Sequence, residues 1–236
     1  MSKNYILSIE TATTSCSVSL ASHGEHIGTI VGDAPNLHAA KLTVFIEDLL
    51  KTSGLTMQQL SAISVSKGPG SYTGLRIGVS AAKGLSYALD IPLIGNGTLN
   101  ALVAGYLESS TGFTNRTLLC PMIDARRREV YTAIFYANGK LFQPTQALIV
   151  DEHTFDAYLE QGYQLILFGS GADKFEETFR AHSQVRVSAG FDSFASYQDK
   201  IAYQAYQQGR FEDVAYFEPF YLKDFVATTP KRSPLL

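Results

Sequence analysis

The stretch Lys67-Gly68-Pro69-Gly70-Ser71-Tyr72-Thr73-Gly74-Leu75-Arg76-Ile77-Gly78 constrains this chain more than any other. The apolar run Ala62-Ile63-Ser64-Val65-Ser66 before it predicts a strand, and the apolar pattern from Leu75 to Leu89 after it predicts a helix. Strand, glycine turn and helix is the order that sets backbone N–H groups at a helix start beside a ligand. The same order suits a tight turn that feeds a helix into a very close contact. The first reading leads to an enzyme and the second to a binding partner.

The helix itself is unusual. Its polar residues Arg76, Ser80, Lys83 and Tyr87 form one stripe, and apart from Ser86 the rest of Gly74 to Leu89 is apolar or small. A helix apolar around most of its circumference is buried on more than one side. Gly74, Gly78, Ala81 and Ala82 carry little or no side chain, which lets another helix or a sheet come close. An interior glycine costs about 1 kcal/mol relative to alanine, so helix stability is given up for proximity. The close neighbour is either the core of the same domain or another subunit.

Known phosphate-binding patterns do not fit. A Walker A loop needs Gly-x4-Gly-Lys-Ser/Thr, but Gly74 is followed by Leu75-Arg76. The dinucleotide fingerprint needs Gly-x-Gly-x-x-Gly. Here Gly68-Pro69-Gly70 is followed by Gly74, one residue late, and Pro69 removes an N–H from the turn. Asp90 precedes the next strand instead of ending it. A second candidate is the turn Glu10-Thr11-Ala12-Thr13-Thr14-Ser15. In actin-like ATPases and sugar kinases the corresponding hairpin reads Asp-x-Gly-Thr/Ser, where the glycine lets backbone approach phosphate. Ala12 stands at the glycine position, so Glu10, Thr11, Ala12 and Thr13 read as a degenerate phosphate loop or a plain polar turn.

Other chemistry is thin. His23, His26, His38, His153 and His182 form no His-Glu-x-x-His or His-x3-His pattern, so no metal site is expected. No Gly-x-Ser-x-Gly elbow is present, and Glu176-Glu177 reads as solvated surface. Cys16 and Cys120 lie in separate apolar runs and read as free core cysteines. With 19 basic and 22 acidic residues the net charge is −3, which gives no footprint for direct nucleic-acid binding. Arg126-Arg127-Arg128 reads as a solvated turn. The chain opens Met1-Ser2-Lys3-Asn4 with no visible targeting signal, and no apolar run approaches membrane-spanning length, so a soluble cytoplasmic protein is expected.

The remaining pattern is α/β. Strands are expected at Tyr5–Ile9, Cys16–Leu20 and His26–Val31, in an antiparallel meander. A helix follows over Leu37–Thr52, with Asn36 as N-cap and Leu42, Phe45, Ile46, Leu49 and Leu50 on one face. Thr56-Met57-Gln58-Gln59 resembles a capping box. Leu93-Ile94-Gly95 predicts a strand and Thr98–Glu108 a helix. The polar segment Ser109–Arg116 is the candidate boundary, dividing the chain into 1–108 and 109–236. The second half again opens with strands, Thr117–Ile123 and Glu129–Ala137, with a hairpin turn at Asn138-Gly139. Further strands are expected at Leu141-Phe142, Ala147–Val150, Leu165–Phe168 and Val185–Val187, with helices near Glu152–Gln161, Asp173–Ala181 and Ser193–Gln208. Two halves of like pattern suggest a duplicated α/β unit.

Four pieces then occur in a telling order: Ile9-Glu10-Thr11-Ala12-Thr13; Gly68-Pro69-Gly70-Ser71-Tyr72-Thr73-Gly74-Leu75-Arg76-Ile77-Gly78; Asp124-Ala125-Arg126 with Glu129-Val130-Tyr131; and Pro219-Phe220-Tyr221-Leu222. Over nearly its whole length the chain resembles the bacterial TsaB (YeaZ) family. Glu10 departs from the aspartate common there. The resemblance implies a two-lobed fold of the actin, sugar-kinase and heat-shock ATPase superfamily. It also implies a non-catalytic subunit that pairs with the TsaD protein, holder of nucleotide and metal, and with the ATPase TsaE. Together these transfer a threonylcarbamoyl group from threonylcarbamoyl-AMP to the adenosine beside the tRNA anticodon. No cofactor of its own is implied, ATP and metal belonging to the partner subunits. The family pairs through the two long helices of its first lobe. On this chain that points to His38, Leu42, Phe45, Leu49, Gly74, Arg76, Gly78 and Ala81 as partner-binding residues. Self-pairing through the same face, as a homodimer, is a further expectation. An autonomous small-molecule kinase or a peptidase of the same superfamily is the alternative.

Overall fold

The computed structural model describes residues 4–32 and 37–223, with the side chains of residues 37–39 outside that set. Two five-stranded sheets share one construction. In the first, β1 (Tyr5–Glu10), β2 (Cys16–Ser22) and β3 (Glu25–Gly32) form an antiparallel meander. β4 (Leu60–Gly68) and β5 (Leu93–Gly97) add in parallel on the other side of β1, giving the order β3-β2-β1-β4-β5. In the second, β6 (Thr117–Asp124), β7 (Glu129–Tyr136) and β8 (Leu141–Ile149) form the meander, and β9 (Gln164–Phe168) and β10 (Val185–Ser188) run parallel beside β6. The duplicated pattern is thus a duplicated topology, and the fold is the two-lobed actin-like one.

Among the described residues six α-helices cover the sheets: α1 (Leu37–Thr52), α2 (Tyr72–Leu89), α3 (Thr98–Ser109), α4 (Asp156–Glu160), α5 (Glu176–Phe179) and α6 (Asp199–Gln207). Strand residues alternate between faces with period two. Leu7, Ile9, Ile63 and Val65 face Leu42, Ile46, Leu49 and Val79 of α1 and α2, while Ile6, Ala62 and Ile94 face Ala202 and Ala205 of α6. In the second sheet Leu118, Cys120 and Met122 meet the α4 and α5 side, and Leu119 and Ile123 meet Leu99, Leu102, Val103 and Tyr106 of α3. The lobes therefore share helices. α3, reached from the first sheet, packs its apolar side chains on the second while staying in contact with β4 and β5, and α6, reached from the second, packs on the first. Burial raises the thiol pKa of both cysteines, that of Cys16 to about 11, as suits core positions. Among the described residues no helix is long and apolar enough to cross a membrane.

Several local expectations are corrected. The helix expected over Glu152–Gln161 is only α4, because Asp151 and Thr154 bond back to nearby backbone N–H groups and hold 151–154 in a turn. The helix expected over Asp173–Ala181 is a 3-10 turn, Asp173–Phe175, followed by α5. The one expected over Ser193–Gln208 starts as a 3-10 turn, Ala195–Gln198, and continues as α6. Leu141-Phe142 and Ala147–Val150 merge into the single edge strand β8, where the missing N–H of Pro144 is tolerated. The box at Thr56 and Gln59 caps a 3-10 turn, Met57–Gln59. Asn36 lies outside the described residues.

The first residue of α6 fastens that helix to the first sheet. Asp199 accepts a hydrogen bond from Ser19 Oγ at 3.0 Å and lies 2.8 Å from His26 Nδ1. Burial raises its pKa from 3.8 to about 6, against the opposing pull of His26 and Ser19. The folded chain then holds a proton that the unfolded chain has released, so this group's contribution to stability falls as pH rises from 3.8 to about 6. Asp199→Asn should flatten that slope in urea midpoints taken across the window; an unchanged slope would assign it to other groups.

Candidate functional site

The loop between β1 and β2 is filled from inside. Glu10 is fully buried at the end of β1. Its carboxylate accepts hydrogen bonds from the Ala12 N–H at 2.7 Å, from Ser193 Oγ at 3.0 Å and from Ser66 Oγ. Burial pushes its pKa up; the bonds from Ser66, Ala12 and Ser193 oppose the shift and nearby Asp192 adds to it. Asp192 in turn accepts from Ser15 Oγ and, at 3.4 Å, from Thr13 Oγ1. Gln198 donates to the Ile9 carbonyl at 2.9 Å and to Ser66 Oγ at 3.1 Å, and accepts from Ser64 Oγ at 2.8 Å. Segment 192–198 thus closes over a loop it follows by about 180 positions.

The glycine turn closes the same loop from the other side. A Cβ on Gly70 would stand 2.4 Å from the Ala12 carbonyl oxygen, one on Gly74 2.0 Å from that of Thr11, and one on Gly78 2.2 Å from Thr11 Oγ1. The Ser71 N–H donates to the Ala12 carbonyl at 2.7 Å, while Ser71 Oγ accepts the Gly74 N–H at 3.2 Å. Ser71 is therefore the N-cap, and α2 begins at Tyr72, ahead of the apolar run that predicted it. Gly68 has φ +115, and its Cβ would meet the Phe220 carbonyl oxygen at 2.5 Å. The hydroxyl of Thr11 is buried without a hydrogen-bond partner, and nothing in the structure explains why a threonine stands there.

The close approach expected of these glycines is thus made to the chain's own hairpin. Glu10, Thr11, Ala12 and Thr13 come together as expected, but buried under α2. The eight residues expected on the partner face divide. Gly74 and Gly78 are buried against Thr11, and Leu42 and Leu49 lie in the core. Phe45 and Ala81 are half-buried and Arg76 is exposed; the side chain of His38 lies outside the described residues. Gly84, which is not among the eight, is open: its Cβ would meet nothing within 4 Å. Ser80, Gly84 and Ala88 are exposed at i, i+4 spacing on α2. That spacing was available as a signal. Beside Gly84 an apolar groove of about 250 Å³ runs between α1 and α2, lined by Thr43, Ile46, Met57, Ala81, Gly84 and Leu85.

The loop is a poor fit for nucleotide and metal. A phosphate needs free N–H donors and an open approach, but the N–H groups of Ala12, Ser71 and Gly74 are already engaged. Among the described residues no group of three or more His, Cys, Asp or Glu could hold a metal ion. The Ser19–His26–Asp199 cluster is not a hydrolytic relay. Ser19 and Asp199 both meet Nδ1, at 3.3 and 2.8 Å, whereas a relay places nucleophile and carboxylate on opposite ring nitrogens.

Two glycines of one helix test this geometry. In both, alanine gains about 1 kcal/mol of helix propensity. At Gly74 the new methyl meets backbone that cannot move aside, so Gly74→Ala should lose about 2 kcal/mol net in urea unfolding. At Gly84 the methyl meets open space, and Gly84→Ala should gain up to about 1 kcal/mol. Equal effects at both sites would contradict the packing described.

Comparison with known proteins bears on the same features. The family model described as "TsaD: tRNA N6-adenosine threonylcarbamoyltransferase" matches residues 16–216. The chain is 30% identical over 227 residues to the tRNA threonylcarbamoyladenosine biosynthesis protein TsaB of Escherichia coli, covering 94% of this chain and 96% of that one. A shorter match, 33% over 107 residues, joins it to the tRNA N6-adenosine threonylcarbamoyltransferase of Bacillus subtilis, covering 39% of this chain and 31% of that protein. Among solved structures, YeaZ from Pseudomonas aeruginosa has the same fold, with a TM-score of 0.74, 24% identity and coverage of 93% of this chain and all of that one. With the full-length match to the Escherichia coli protein, the chain belongs to the TsaB family of tRNA threonylcarbamoyladenosine biosynthesis proteins.

Proposed function

We propose that this chain is a non-catalytic scaffold subunit of the complex that transfers a threonylcarbamoyl group to the adenosine next to the tRNA anticodon. It acts in the cytoplasm by binding the catalytic TsaD-type subunit through the outer side of α1 and α2. ATP and metal reside in the TsaD-type subunit and the TsaE-type ATPase, and tRNA is met only through the complex. In the absence of the partner the same face pairs two copies of this chain.

One observation carries this reading. The position where a relative with Asp-x-Gly-Thr would receive phosphate is filled by the chain's own groups, with Glu10 held by three internal donors. The outer side of α2 supports it from the opposite direction. Ser80, Gly84 and Ala88 present almost no side chain, beside an apolar groove, as close helix pairing requires. An autonomous kinase would need the Ala12 and Gly74 N–H groups that are already bonded.

Mixing the chain with its TsaD-type partner should give a stoichiometric complex, and Gly84→Leu should weaken it by about tenfold or more, since one leucine holds two helices apart. The isolated variant should unfold at a urea midpoint no lower than that of the wild type, since leucine, like alanine, gains helix propensity over glycine. An unweakened complex would overturn the assignment of this face. ATP turnover by the isolated chain would overturn the scaffold role.

A further inference from the structure

The motif Pro219-Phe220-Tyr221-Leu222 lies far along the chain from Arg76 and Lys83, the two cations of α2's polar stripe. The structure brings them together. After α6 the chain returns to the first sheet, where the Glu212 N–H bonds to the Leu93 carbonyl at 2.8 Å, and then runs along the flank of α2. Residues 213–217 form one turn, closed by the Phe217 N–H to the Asp213 carbonyl at 2.8 Å, with Asp213 Oδ1 accepting from the N–H groups of Ala215 and Tyr216. Phe217 is buried in the first core cluster. Lys83 Nζ donates to the carbonyls of Ala215 at 3.1 Å and Phe217 at 2.9 Å, at the end of the turn where unpaired carbonyls collect negative charge. Two helical turns nearer the start of α2, Arg76 Nε donates to Tyr221 Oη at 3.3 Å and lies over the Tyr72 ring at 4.4 Å, and Tyr72 and Tyr221 pack at 4.8 Å. Between them the Phe220 N–H bonds to the Lys67 carbonyl at 2.6 Å, next to the glycine turn. Past Tyr221, Lys223 pairs with Glu129 on β7.

The other flank of α2 is less firmly held. The groove beside Gly84 shows that α1 and α2 do not close on each other there, although Leu42, Ile46 and Val79 share the core below. At its start α2 is fixed by Thr11 under Gly74 and Gly78. Further along, Val79 and Ala82 seat α2 on the core, and Lys83 joins it to the 213–217 turn. A brace on one flank of a helix seated on its sheet resists rolling toward the other flank, where the groove lies.

We infer that Lys83, with Tyr221, is a positioning residue that seats segment 213–223 along α2 and so sets the angle at which α2 presents Ser80, Gly84 and Ala88 to a partner. This rests on the reading that α2's outer side binds the TsaD-type subunit. Lys83 itself touches carbonyls on the far flank of α2 and need not touch the partner.

The experiment uses the full chain and its TsaD-type partner, with affinity measured by titration and backbone exchange measured on the free chain. Lys83→Met should weaken the complex by about tenfold and speed amide exchange in both 213–223 and the second half of α2. Lys83→Arg, which keeps a cation on the two carbonyls, should restore both. Tyr221→Phe keeps the ring and removes the bond to Arg76, so a loss of about threefold is expected. If Lys83→Met does not fold, the Lys83→Arg and Tyr221→Phe pair carries the test, and wild-type affinity in Tyr221→Phe overturns the inference. If Lys83→Met folds and binds as wild type while Gly84→Leu does not bind, the positioning role fails and the partner face stands. If Gly84→Leu binds as wild type, it is the partner face that fails. Faster exchange with unchanged affinity would make the segment a brace for stability alone and would also overturn the inference.

Discussion

The contact between Gly74 and the Thr11 carbonyl sets much of the first lobe. A side chain at Gly74 has nowhere to go, since its Cβ would stand 2.0 Å from a backbone oxygen. Because the position is glycine, α2 can lie on the hairpin loop, Ser71 can cap the helix, and its N–H can bond to Ala12. The loop then has cover on one side from α2 and on the other from segment 192–198. Glu10 follows from that enclosure. A carboxylate taken out of water is tolerated only when its lone pairs are satisfied, and three donors from three parts of the chain converge on it.

That enclosure also separates shared ancestry of fold from shared chemistry. The strand order β3-β2-β1-β4-β5 recurs in the second sheet as β8-β7-β6-β9-β10, so the expected duplicated architecture is intact. What differs is the content of one turn. Ala12 brings a methyl where phosphate would need backbone, and its N–H is spent on Glu10.

Much of the fold was legible because sheet strands alternate with period two and the two halves repeat one order of elements. The short helices of the second half were not, since local side-chain bonds such as those of Asp151 and Thr154 compete with helix in ways apolar spacing does not record. The glycine stretch was half legible. Glycines announce that something comes close, but Gly74 and Gly78 cannot say whether it is another subunit or, as here, Thr11. Asp192, Ser193 and Gln198 carried no signal, because their partners on the hairpin are joined to them only through the completed fold. Gly84 was visible but outweighed by its neighbours in a more familiar string.

Under the proposed function the glycine turn and hairpin loop are an internal fastening and not a phosphate cradle. Amide exchange at Ala12 probes this most directly, because its N–H bonds to the buried Glu10 carboxylate at 2.7 Å inside the enclosure. Ala12 should then exchange only through global unfolding, and excess ATP with magnesium should leave its rate unchanged. Fast exchange in the free chain, slowed by nucleotide, would show an open loop that phosphate closes and would contradict it.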